Sequence, residues 1–285
     1  MEQDHQNCNH DCAHCSAHKS EDECAADKRL AENMSKIAHK VVVLSGKGGV
    51  GKSTVAVNVA FGLAAKGANV GLLDVDLHGP SIPTMLGLAG AGAYTVDDKI
   101  EPVQSGAVKV ISVGFFLPED DAAVIWRGPM KLGVIRQFLQ DVDWGDLDYL
   151  VVDCPPGTGD EPLGVCQTLQ GDIKAIVVTT PQEVAAADVR RSLDFCKQLQ
   201  LPVIGVVENM SGFVCPHCGE VTYIFKQGGG QALAEGAGVP FLGRIPLDPK
   251  VGELGDSGHP LVDEAPESPA AKAFEAVVDA VMANK

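Results

Sequence analysis

Nine consecutive residues, Gly46-Lys47-Gly48-Gly49-Val50-Gly51-Lys52-Ser53-Thr54, restrict this chain more than any other feature. They follow an apolar run at Lys40 to Ser45 and open a helical pattern at Ser53 to Lys66. In that setting the spacing GxxxxGK followed by Ser or Thr is a phosphate loop. Glycines let the backbone curl until its N–H groups, with the N-terminus of the next helix, surround phosphate oxygens. Lys52 brings a positive charge to the outer phosphates, and the Ser53 hydroxyl is a ligand for Mg²⁺. A Gly-rich turn with chance lysines would have to account for all nine fitting positions. The loop therefore predicts binding of ATP or GTP. Lys47 is unusual, because in a loop of normal geometry it points away from its own phosphates. It either reaches a nucleotide held by a second subunit, making hydrolysis depend on dimerisation, or is a solvated loop lysine.

The loop sits in a repeating pattern. Short apolar runs at Lys40 to Ser45, Asn69 to Val75, Val108 to Val113, Tyr149 to Asp153, Ile173 to Thr179 and Pro202 to Glu208 alternate with helical patterns at Ser53 to Lys66, Met130 to Asp141, Glu161 to Leu169 and Val184 to Leu199. Near-continuous apolar strands separated by helices predict an α/β fold, a phosphate-loop NTPase with a mostly parallel sheet and helices on both faces. From Pro269 to Asn284, Ala273, Phe274, Val277, Val278, Val281 and Met282 share one helical face, predicting a closing helix docked on the sheet. The expected organisation is one NTPase domain over residues 37–285. Residues 1–36, polar, acidic and rich in Cys and His, read as a flexible extension unable to bury a core of its own.

Charge narrows the partners. Lys plus Arg number 22 against 38 Asp plus Glu, a net charge of −16, which repels nucleic-acid phosphate and anionic lipid. No apolar run approaches the roughly 20 residues of a membrane span, and the first thirty residues lack the apolar core of a secretory signal. The expectation is a cytoplasmic protein, without nucleic-acid or membrane partners, whose nine cysteines stay reduced for metal or redox work.

The remaining chemistry lies at predicted strand ends. Asp74-Val75-Asp76 and Asp153 fall at carboxyl ends, where open α/β sheets bind ligands. Asp153 fits the acidic residue that holds Mg²⁺, and Asp76 a group that positions the attacking water or completes the metal shell. Asp74 reads as a structural acceptor. Cys154-Pro155-Pro156-Gly157-Thr158-Gly159-Asp160 follows as a candidate switch loop. Cys215-Pro216-His217-Cys218 supplies two thiolates, half of the four ligands that Zn²⁺ or a four-iron cluster takes, so a symmetric dimer or the N-terminal cysteines must complete the set. A redox pair is the competing reading, weakened because no helix start adjoins it. Cys8, Cys12, Cys15 and Cys24, with His10, His14 and His18 interleaved, form a possible second site for a cluster or Zn²⁺, or else a metal-scavenging tail. Cys166 and Cys196 read as core residues, and His39, His78 and His259 as structural.

Five segments together carry a resemblance: GKGGVGKST at 46–54, DVDLHGPSIP at 74–83, WRGPM at 126–130, DCPPGTGDE at 153–161 and ENMSGFVCPHCG at 208–219. From about Lys36 onward the chain resembles the Mrp (ApbC) family of iron–sulfur cluster carrier ATPases, in the deviant-Walker class with MinD, ParA and the nitrogenase iron protein. The resemblance implies that Lys47 acts across a nucleotide-sandwich dimer and that Asp76 belongs to switch I. It also implies that Asn209 contacts adenine, favouring ATP, and that Cys215 and Cys218 share a 4Fe-4S cluster with their symmetry mates. The N-terminal cysteines depart from the family, whose relatives with an N-terminal cluster have a longer first gap. The implied function is a slow ATPase, with Arg127 a weak candidate for a finger, that receives a cluster from a donor and transfers it to apoproteins as a homodimer. The alternatives are a MinD- or ParA-like positioning ATPase and an ATP-driven electron donor that retains its cluster.

Overall fold

The computed structural model describes residues 21–77, 79–116, 128–182 and 186–284. In chain order these form α1 (Glu21–Ser35), β1 (Ile37–Leu44), α2 (Lys52–Ala65), β2 (Val70–Asp74), α3 (Ile82–Met85), β3 (Tyr94–Val96), β4 (Lys99–Glu101), β5 (Val103–Ser105), β6 (Val108–Ser112), α4 (Gly128–Asp141), β7 (Leu147–Asp153) and α5 (Asp160–Thr168). The second half adds β8 (Asp172–Thr179), α6 (Ala186–Gln198), β9 (Val203–Glu208), β10 (Phe213–Val214), β11 (Val221–Thr222), α7 (Gly229–Ala237), β12 (Phe241–Arg244), α8 (Pro249–Ser257), α9 (Leu261–Glu264) and α10 (Pro269–Ala283).

Eight strands make one sheet in the order β12-β9-β8-β1-β7-β2-β6-β5, parallel except for the antiparallel edge pair β5 and β6. The six predicted strands are its interior. Because successive side chains on a strand point to opposite faces, each apolar run divides between two cores. Val41 and Val43 join one layer while Val42 and Leu44 join the other, and Val151 and Ile176 oppose Val152 and Val177 in the same way. Helix α2, apolar nearly all round, lies in the first layer with α10, whose Phe274, Val277, Val278 and Val281 are buried. Helices α1, α4, α5, α6 and α7 supply the second layer. Among the described residues, no helix is long and apolar enough to cross a membrane.

The proposed boundary at residue 36 meets a different arrangement. Residues 21–35 are helix α1, packed on α4, with Leu30, Met34 and the following Ile37 buried at a spacing of four and three. Polar residues secure it as well. Asn33 Nδ2 donates to the carbonyls of Leu139 and Val142, both at 2.8 Å, at the end of α4. Lys40 Nζ donates to Met34 O at 2.9 Å and Ile37 O at 2.7 Å, placing a cation at the helix C-terminus. An Arg136–Asp27 bridge links α4 to α1. Mean composition hid this helix: few apolar residues suffice when each falls on one face. Cys24 is also buried in α1, whereas Cys8, Cys12 and Cys15 lie outside the described residues, as do His78, Trp126 and Arg127.

If α1 is part of the core, Leu30→Ala lowers the free energy of unfolding by about 2–5 kcal/mol, the usual range for a buried leucine. Urea unfolding of the full chain measures this, and a loss below about 0.5 kcal/mol, the scale of a surface substitution, would return α1 to the status of an appendage.

Candidate functional site

Four strand ends bring the site together. β1 lies between β7 and β8, and β2 is the other neighbour of β7, so the loop after β1 stands beside Asp153 and Asp74. The parallel register sets Val43 opposite Asp153 and Asp74 opposite Asp153. The phosphate loop curls over this edge into α2. Gly51 caps the helix with φ of 80°, a left-handed conformation that favours glycine, and a Cβ there would stand 2.2 Å from Asn209 Nδ2. Gly46 passes so close to α6 that a Cβ would lie 2.3 Å from the carbonyl oxygen of Asp188.

The loop borders an open cavity of about 400 Å³. Lys47, Lys52, Ser53, Thr54 and Asp76 line it, together with Gly48, Gly49 and Gly51. Val251, Gly252, Gly255 and Asp256 of α8 line it too, as does Pro156 in the candidate switch loop. That loop is fastened to the site, since Gly157 N donates to Ser45 O at 2.7 Å and Cys154 N to Val43 O at 3.2 Å.

Charge is concentrated behind the loop. Lys52 Nζ lies 2.5 Å from Asp153 Oδ1, 3.9 Å from Asp76 Oδ2 and 3.5 Å from Ser53 Oγ. Burial by itself would lower the Lys52 pKa, but the adjoining Asp153 carboxylate, with Asp76 and Asp74 behind it, reverses the direction and raises it. Asp153 is fully buried, and desolvation pushes its pKa up against the pull of Lys52. Its second oxygen, Oδ2, is buried without a hydrogen-bond partner. An orphaned carboxylate oxygen beside a serine hydroxyl and a second aspartate fits a divalent cation. Asp74 accepts from Ser112 Oγ at 2.8 Å and from Asp76 N at 3.0 Å, the structural acceptor expected. Burial, then the Asp153 charge, raise its pKa to about 7.

Asn209 is at the end of β9, buried, and its Nδ2 donates to Val50 O at 2.9 Å. The preceding residue escaped the sequence reading. Glu208 is completely buried and accepts from Ser211 Oγ at 2.6 Å, Gly228 N at 3.1 Å and Gly230 N at 2.6 Å. Arg244 Nε stands 3.4 Å away without a hydrogen bond. An acidic residue ending an apolar strand was its only signal.

The two cysteines occupy a separate structure, the turn of the β10–β11 hairpin. Cys215 N donates to Glu220 O and Gly219 N to Cys215 O, both at 2.9 Å. The Cys215 sulfur faces the backbone N–H groups of Cys218 and His217 and the Cys218 thiol, which hold its pKa below the ordinary cysteine value. Cys218 is exposed, and beside the pair Val221, Tyr223 and Ile224 are 44%, 48% and 55% exposed. Cys154, by contrast, is fully buried, and desolvation followed by Cys166 raises its pKa far above normal, so it is no nucleophile. Among the described residues, no group of three or more His, Cys, Asp or Glu side chains is arranged to hold a metal ion.

Residues 36–282 match the model of the ParA family described as NUBPL iron-transfer P-loop NTPase. The chain belongs to this family. A similar relative is the iron-sulfur cluster carrier protein of Methanocaldococcus jannaschii, 54% identical over 83% of this chain and 82% of that protein. Human cytosolic Fe-S cluster assembly factor NUBP2 is 49% identical over 88% of this chain and 94% of its own length. Among solved structures, a nucleotide-binding protein of Archaeoglobus fulgidus in complex with ADP is 42% identical, with a TM-score of 0.73 over 81% of this chain and 91% of its own. The cell division ATPase MinD of Pyrococcus furiosus, at 25% identity, has a TM-score of 0.63 over 87% of this chain and 100% of its own. As an iron-transfer NTPase of this family, the chain carries both an intact phosphate loop and a two-cysteine hairpin.

The Asp74 shift has a pH consequence. Its folded pKa is raised from 3.8 to about 7, so between those values the folded state holds a proton that the unfolded state has lost. This group's contribution to stability therefore falls as pH rises from about 4 to 7, by roughly 3–4 kcal/mol at 1.36 kcal/mol per pKa unit. Asp74→Asn is expected to remove the decline and raise the melting temperature of the nucleotide-free chain at pH 8 relative to pH 5. Parallel pH profiles for the two proteins would show Asp74 to be ionised throughout.

Proposed function

We propose that this chain is an ATP-binding and ATP-hydrolysing carrier that takes up a 4Fe-4S cluster between the Cys215 and Cys218 pairs of two subunits and delivers it to apoproteins. The observation that carries the proposal is the exposed cysteine hairpin with its apolar surroundings on a chain of the iron-transfer NTPase family. Two thiolates are half of a tetrahedral set, so a homodimer that brings two hairpins together on a two-fold axis completes the ligands. Val221, Tyr223 and Ile224 give that contact apolar area, and an exposed cargo site suits release.

In the ATPase reaction, Lys52 and the loop N–H groups would bind and orient the phosphates, and Asp76 would position the attacking water. Ser53 and Asp153 would hold Mg²⁺, whose role when bound is to neutralise charge on the phosphates. Lys47 would complete the partner's nucleotide site. Asn209, at the phosphate loop, would contact adenine. Cytosolic relatives support a cytoplasmic location. Cys8, Cys12, Cys15 and Cys24 would be a second site for a cluster or Zn²⁺. The positioning reading loses support because α10 buries its apolar face in the core, leaving none for a membrane. An electron donor with a retained cluster remains the alternative that metal content alone does not separate, and transfer to an apoprotein does.

Lys52→Ala is expected to lower ATP turnover at least a hundredfold, of the order seen when a transition-state charge contact is lost, without preventing cluster reconstitution. Normal turnover would overturn the phosphate-loop assignment. Iron and sulfide are then measured after anaerobic reconstitution in native protein and in the Cys215→Ser, Cys218→Ser variant. Loss of about four irons per dimer from the variant matches one shared cluster. A variant that keeps its iron, or a native protein that holds only zinc, removes the bridging site.

A further inference from the structure

The phosphate loop and the cysteine hairpin are joined by a short, closely bonded stretch of chain. It begins at Asn209, whose Nδ2 holds Val50 O and whose backbone N–H donates to Thr179 O at 2.8 Å. Cys215 follows six residues later. Between them, Ser211 N donates to Ile245 O at 2.9 Å and Leu247 N to Gly212 O at 2.7 Å, fixing the stem against the segment that leaves β12. Met210 takes φ of 57°, a left-handed conformation that a non-glycine residue keeps only where its surroundings impose it.

A side-chain bond closes the same turn. Ser211, itself buried, donates through Oγ to Glu208 Oε1 at 2.6 Å, and the Glu208 carboxylate is anchored independently by Gly228 and Gly230 at the start of α7. The bond thus spans Asn209 and Met210, so that the residue gripping Val50 and the stem of the hairpin belong to one closed turn. Phosphate binding draws on the N–H groups of the loop that includes Val50 and Gly51, and the Val50 carbonyl is the group Asn209 grips. The path from the Val50 carbonyl through Asn209 and Met210 to the stem is thus closed by the Ser211–Glu208 bond. Coupling of this kind needs a physically contiguous element with two arrangements, of which the nucleotide favours one.

We propose that Ser211 is a positioning residue that transmits occupancy of the phosphate loop to the Cys215–Cys218 hairpin through its bond to buried Glu208. The proposal rests on the reading of the chain as a nucleotide-driven carrier, and its test is separate from cluster binding. Ser211 lines neither the nucleotide cavity nor the cysteine turn. The reduced, cluster-free full chain is treated with iodoacetamide, with and without ATP and Mg²⁺, and modification of Cys215 and Cys218 is followed by peptide mass spectrometry.

In the native chain, ATP changes the alkylation rate of the pair at least threefold. In Ser211→Ala the change falls below 1.5-fold while the Kd for ATP stays within twofold, and Ser211→Thr, which keeps the hydroxyl, restores the response. A native chain whose cysteines ignore ATP overturns the proposal, as does a Ser211→Ala protein that responds like the native one or loses ATP binding. A chain with the expected alkylation pattern that reconstitutes no cluster supports the coupling and sinks the carrier reading instead.

Discussion

The buried contact between Lys52 and Asp153 is the interaction on which the site depends. It joins the first residue of α2 to the last residue of β7, and so fixes the phosphate loop over the sheet. Buried ion pairs seldom exceed a well-packed apolar pair in stability, because both charges lose their hydration, whereas removing one partner costs about 3–5 kcal/mol. Packing alone would not select this pair. Its setting explains it: Asp74, Asp76 and Asp153 all act on one ammonium, leaving excess negative charge in a buried place. A proton on Asp74 relieves part of that excess, and the partnerless Oδ2 of Asp153 marks where a divalent cation would relieve more. The same electrostatic imbalance that burdens the fold would favour the divalent cation proposed beside the phosphates.

Much of this was legible in the sequence because parallel strands buried on both faces are written as continuous apolar runs. All six predicted strands lie in the sheet, and the acidic residues that end two of them meet at the phosphate loop. Elements with little apolar content were harder. Helix α1 buries Leu30, Met34 and Ile37 from an otherwise polar stretch, and the rest of its hold on α4 is hydrogen bonds and ion pairs, which leave no period in hydropathy. The edge strand β5 is three residues long and half-exposed, and β12 is four residues with a displaced register, below the length at which alternation can be read.

The site shows the same division. Residues marked by local spacing fall where spacing puts them: Gly48, Gly49, Gly51, Lys52 and Ser53 line one cavity, and the cysteine pair shares one hairpin turn. Residues whose role is set by distant partners carry no such mark. Nothing near Glu208 in the sequence announces that its carboxylate will accept backbone N–H groups twenty and twenty-two residues away. Nor does Val251 or Asp256 carry a mark of the cavity that both line from α8, about two hundred residues beyond the phosphate loop.

Placing two chemistries on one short stem has a physical consequence for how each can be built. A phosphate loop needs rigid support, and Asn209 and Glu208 provide it from within the sheet end. The cluster site proposed between subunits would need exposure, and the hairpin has it, at the cost of leaving Val221, Tyr223 and Ile224 in water. The transition from one regime to the other takes place within residues 209–214, where the left-handed Met210 and Gly212 turn the chain out of the core and main-chain bonds to Ile245 and Leu247 keep the turn from being loose. A longer or softer connection would have satisfied exposure and support separately. A short, strained one sets Asn209, which grips the Val50 carbonyl of the phosphate loop, only six residues from Cys215, an economy that the proposed nucleotide-driven carrier would use and a passive metal store would not.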